Sequence, residues 1–90
     1  MKLEQDKYYP VSDIILESLE RYLEHGIMPG SFLTAVLENN LCEAFGRADS
    51  FNTMNMKNIV GYVYNHVPSN AWGSPEKVSN YLNQLKGEKK

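Results

Sequence analysis

The chain has 90 residues, 42% hydrophobic, 11% aromatic and 22% charged. That balance suits one globular domain and excludes a disordered tail, a collagen-like repeat and a disulfide scaffold. Nine Lys and Arg against eleven Asp and Glu give a net charge of −2, a poor footprint for a duplex nucleic acid.

No apolar run approaches the roughly 20 residues that cross a bilayer, so no membrane span is expected. The stretch Met1–Lys7 lacks the hydrophobic core of a signal peptide, and cytoplasmic residence follows as the expectation.

Residues 1–11 are expected to fray. Ser12-Asp13 after Pro10 then opens a stretch with Ile15, Leu16, Leu19, Tyr22 and Leu23 on one face and Glu17, Glu20, Arg21 and Glu24 on the other. This is the pattern of an amphipathic helix, predicted at about 12–25 and ended by Gly26. Pro29-Gly30-Ser31 breaks the chain and offers Ser31 as an N-cap for the stripe Phe32, Leu33, Val36 and Leu37. Asn39-Asn40 either kinks or ends that helix. Leu41, Cys42, Ala44 and Phe45 resume the pattern as far as Gly46, leaving two short helices or one bent helix. Arg47–Ser50 reads as a connector with Asp49 or Ser50 as cap.

Met54, Met56, Ile59, Val60, Val63, Tyr64 and Val67 recur at helical spacing. Ile59–Tyr64 is rich in β-formers, but its flanks suit a helix better than an isolated strand. Gly61 inside this run costs about 1 kcal/mol relative to alanine, which a close helix crossing would explain. After the irregular stretch Val67–Gly73, Ser74, Pro75 and Glu76 supply three helix-start signals in a row. Val78, Tyr81, Leu82 and Leu85 form the buried side of that helix, and residues 86–90 are expected to fray. The chain therefore reads as all-α, a compact bundle of four short helices in a single domain over 1–90.

The chemical inventory is thin. His25 and His66 each fall at a helix end, where a histidine suits the dipole. An enzyme would need a pair assembled from different helices, such as His66 with Asp49. Cys42, alone and on an apparent apolar face, reads as a small core hydrophobe. Glu17, Glu20 and Glu24 line up as a solvated face, since a hard cation needs oxygens converging from other segments. No metal or cofactor is expected.

Two helix starts carry more information. Pro29-Gly30-Ser31-Phe32 and Trp72-Gly73-Ser74-Pro75 each place Gly-Ser beside an aromatic residue at the head of a helix. Free N–H groups and the positive dipole end suit an anion there. Arg47 and Lys77 are the nearest cations in sequence, while Trp72, Phe32 or Tyr64 could stack on a base. On spacing alone, ordinary capping and core packing account for the same residues better than a ligand does.

The run Gly26–Leu41, together with Gly46-Arg47-Ala48-Asp49, Tyr64-Asn65-His66-Val67-Pro68 and Trp72–Val78, resembles a family of small proteins of tailed bacteriophages. The resemblance implies residence in the cytoplasm of an infected bacterial host and a role in binding a host component. Two functions are expected on this basis. One is an anti-defence protein that sequesters a cyclic nucleotide signal without cleaving it, through Gly30, Ser31, Phe32, Arg47, Trp72, Gly73, Ser74 and Lys77, in a homo-oligomer whose interface duplicates the pocket. The other is a protein-interaction module that inhibits a host enzyme or defence complex, with Tyr8, Tyr9 and Tyr62 as exposed anchors. Neither requires an enzyme.

Overall fold

Ser12 starts the first helix: its Oγ accepts from the Ile15 N–H at 3.2 Å, one of the donors that a helix start leaves over. The computed structural model describes residues 3–88, and its first helix, α1, spans Asp13–His25. Gly26 ends α1 with φ 69°. The Gly26 and Ile27 N–H groups bond back to Tyr22 and Arg21, a Schellman arrangement that glycine adopts without strain. Five further helices follow, α2 Ser31–Leu37, α3 Leu41–Arg47, α4 Ser50–Met54, α5 Met56–His66 and α6 Pro75–Glu88. Among the described residues all regular structure is helical, as the apolar spacing predicts. The count is six rather than four.

Three asparagines account for the difference. Asn39 takes φ 59°, a left-handed conformation that asparagine tolerates better than most residues, and so stops α2. Asn40 donates its N–H back to the Ala35 carbonyl, while its Oδ1 caps α3 through the Glu43 N–H. One residue stops a helix and the next starts another. Asn55 divides α4 from α5 by turning its side-chain amide onto the Phe51 carbonyl at 2.7 Å, which competes with continuation of the helix. Asp49 is the cap of α4, accepting from the Asn52 N–H at 2.7 Å.

Leu19, Tyr22, Leu37, Ile59, Tyr62 and Val63 form the centre of the core, and each fully buried aliphatic side chain contributes about 1.5–3 kcal/mol. Both central tyrosines spend their hydroxyls on backbone: Tyr22 on Ala71 and Tyr62 on Glu4, each at 2.6 Å. Burial pushes both phenols above their ordinary pKa.

Residues 3–11, expected to fray, lie docked on the bundle as a strap. Leu3 is buried and its N–H donates to Glu20 at 2.7 Å. The Gln5 side chain pairs with both backbone groups of Val11. At the other terminus α6 runs to Glu88, while residues 89–90, like residues 1–2, lie outside the described residues.

Gly61 serves this strap and not a helix crossing. A Cβ placed there would come within 2.2 Å of the Tyr9 ring, so only glycine lets the ring lie flat on α5. Tyr62 is fully buried beneath the same strap, which removes it from the exposed anchors expected from sequence. Cys42 corrects the opposite way: it is exposed at the start of α3 instead of packed in the core.

Candidate binding surface

The two Gly-Ser helix starts lie at opposite ends of α2. Gly73 donates its N–H to the Leu37 carbonyl at 2.7 Å, which fixes the start of α6 against the C-terminus of α2. Ser31 stands at the N-terminus of the same helix, six residues or about 9 Å of helix away. The first start has no side-chain cap, and at the second the cap is taken. At the first, Gly30 and not Ser31 occupies the cap position, and α2 is only 7 residues long. At the second, the Ser74 Oγ accepts from the Lys77 N–H at 3.1 Å, which is capping.

The remaining expected site residues divide in the same way. Ser31 and Arg47 line one open hollow with Glu38 and Glu43. Arg47 Nε is bound to Glu43 Oε2 at 2.9 Å, so the cation is already neutralised and a second carboxylate stands by, which disfavours an anion. Phe32 is buried in the core and cannot stack on a ligand. Trp72 and Lys77 belong together elsewhere: the Lys77 stem lies over Gly73, its Cδ 3.4 Å from where a Cβ would sit.

What the structure assembles is an apolar surface around Trp72. Val36, Leu41, Ala44, Val60, Val63 and Trp72 line a notch of about 30 Å³. That is about the space one water molecule needs, enough for the tip of one side chain and far too little for a nucleotide. Around it the apolar side chains are uncovered. Leu41 is 57% exposed, Phe45 46% and Tyr64 71%. Leu41 and Phe45 stand one turn apart on α3, with Ala44 and Ala48 on the same stripe. Tyr64 meets Trp72 edge-on, ring centroids 6.1 Å apart, within the range in which aromatic pairs attract. Asn39 and Asn40 supply the polar edge of the notch.

Trp72 and Lys77 are thus the expected site residues that survive as neighbours on one surface. Leu41, Phe45 and Val60 were missed, because in sequence they continue stripes that otherwise face the core. The available signal was the Asn39-Asn40 break, which turns α3 away from the line of α2 and uncovers Leu41.

His66 has a different partner from the Asp49 expected of an enzyme. Its Nε2 lies 2.7 Å from Asp6 Oδ2, and its ring stacks on Tyr62 with centroids 4.5 Å apart. Hydrogen bonding from His66, and then from the Tyr8 N–H, holds the Asp6 carboxyl below the ordinary aspartate range. The pair fastens the strap to the end of α5.

No group of three or more His, Cys, Asp or Glu side chains that could hold a metal occurs among the described residues, and no described helix is long and apolar enough to cross a membrane. No family model, curated protein or solved structure matches the chain.

Proposed function

We propose that this protein is an interaction module that works by seating a segment of a partner protein on the surface formed by Leu41, Phe45, Val60, Tyr64 and Trp72, with no chemical step. The observation that carries the reading is the continuity of that surface. Exposed Leu41, Phe45 and Tyr64 on two helices flank a notch lined by the partly buried Val60 and Trp72, and clusters of this kind on small proteins mark protein contacts. Aromatic anchors that flank a small depression are the usual carriers of binding energy at such contacts. The resemblance to tailed-phage proteins directs the search for the partner to a bacterial host.

Sequestration of a cyclic nucleotide is the weaker reading, because its eight residues are divided between two ends of α2 and a buried position. Affinity capture from host lysate, run in parallel with the wild type and Leu41→Asp, tests the choice. The expected result is one stoichiometric protein retained by the wild type and lost by the variant, with helical circular dichroism unchanged. Equal capture by both, or a thermal shift with any of a panel of cyclic di- and trinucleotides, overturns the proposal.

A further inference from the structure

The charges around the apolar surface specify its partner more narrowly. Lys57 lies two turns before Tyr64 on the same line of α5, a separation of about 10 Å. Lys77 stands beside Trp72, its stem against Gly73. Neither lysine makes an ion pair among the described residues. The acid nearest Leu41 in sequence, Glu43, is consumed by Arg47. The apolar surface is therefore bordered near both ends by unpaired ammonium groups, on a molecule whose net charge is −2.

Resting on the reading above, we propose that the occupant is an acidic amphipathic helix of a partner protein. It would place apolar side chains at i, i+3 or i+4 and i+7 over Leu41, Val60 and Trp72, with Asp or Glu side chains reaching Lys57 and Lys77. A helix crossing two turns of α5 presents its own residues i and i+7 over the same length, and helix-in-groove docking uses this anchor spacing.

A second copy of the chain fits poorly. A two-fold contact through this face brings both copies' Lys57 and Lys77 to one rim, and like charges set against each other at an interface disfavour it. The acidic face of α1, with Glu17 exposed, offers a carboxylate, but that contact is head-to-tail and leads to open chains unless the rotation closes.

The test uses a displayed library of random peptides of about 15 residues, roughly four helical turns, panned against the full chain. Expected are enriched sequences with helical apolar spacing and an excess of Asp and Glu. The enriched peptides, synthesised and titrated against purified protein, should lose about tenfold or more in affinity with Leu41→Asp, and about fivefold with Lys57→Glu and Lys77→Glu combined. The lysine effect should shrink at high salt. Phe45→Asp repeats the apolar arm if Leu41→Asp changes the circular dichroism. Peptides that need Leu41 but ignore both lysines overturn the acidic-helix proposal and leave the interaction surface standing. Peptides indifferent to the apolar substitutions, or no enrichment at all, overturn both. Light scattering that finds a dimer made monomeric by Leu41→Asp assigns the face to a second copy and also overturns the proposal.

Discussion

Helix α5 is treated differently on its two sides. One side carries Gly61, Tyr62 and His66 and is covered by the strap: Tyr9 lies on Gly61, Glu4 accepts from Tyr62, and Asp6 meets His66. The other carries Val60 and Tyr64 and remains bare but for Trp72 and α3. Both sides are rich in aromatic and aliphatic surface. The strap of residues 3–11 reaches α5 through Glu4, Asp6 and Tyr9, all on one of them. A side that is covered by its own chain contributes to stability, whereas an equally apolar side left bare is available to a partner. Substitutions on the covered side should therefore act on folding, and substitutions on the bare side on binding.

The largest effect is expected at Gly61. Gly61→Ala places a methyl 2.2 Å from the Tyr9 ring, so the ring must leave and the strap with it. Displacing packed groups in this way costs about 1–3 kcal/mol, against about 1 kcal/mol that alanine gains in a helix. Chemical denaturation should show a net loss. In a Tyr9→Ala background the same change should become stabilising, and a second loss there would remove the strap from the explanation.

Next comes Tyr62→Phe, which deletes the hydroxyl bound to the Glu4 carbonyl at 2.6 Å. A loss of about 1 kcal/mol is expected, with faster amide exchange confined to residues 3–11. Exchange that rises throughout the molecule would show that the strap does not open on its own.

A smaller effect is expected from acid. The Asp6 carboxyl is held below the ordinary aspartate value of 3.8, so it favours the docked strap above that value, and the contribution is lost as the pH falls through the depressed one. The Tyr8 N–H donates to Asp6 Oδ1 at 2.7 Å. Its amide chemical shift should titrate at lower pH than a free aspartate, and Asp6→Asn should abolish the titration. A Tyr8 shift that follows the exposed carboxylates instead would detach Asp6 from the clasp.

The smallest stability effect is predicted on the bare side. Tyr64→Ser and Leu41→Asp should each change the unfolding free energy by no more than about 0.5 kcal/mol, as exposed positions do. A loss of several kcal/mol from either would mean that the surface is core after all.

The helices were legible because their punctuation is local. Ser12, Gly26, Asp49 and Ser74 act within three or four residues of themselves, and each caps or ends a helix as the residue type suggests. The asparagines were harder, since Asn39 and Asn55 stop a helix by a conformation or a side-chain bond that a run of apolar residues masks. The strap was illegible for a different reason. Its bonds join positions 58 and 60 residues apart, and nothing in the spacing of Glu4 or Asp6 announces Tyr62 or His66. Gly61 was correctly singled out as a close approach, but the approaching group was a ring from the strap and not another helix. At the surface, Trp72 and Lys77 could be found as a helix-start cluster. Leu41, Phe45 and Val60 could not, because the helical period marks which residues share a side and is silent on whether anything covers it.

The strap also bears on how the molecule is made. Glu4 and Asp6 leave the ribosome some sixty positions before their partners Tyr62 and His66, so during synthesis this part of the strap is made long before α5 can receive it. What the nascent chain leaves exposed meanwhile is the Tyr9 ring, free to meet a chaperone before Gly61 of α5 emerges to receive it.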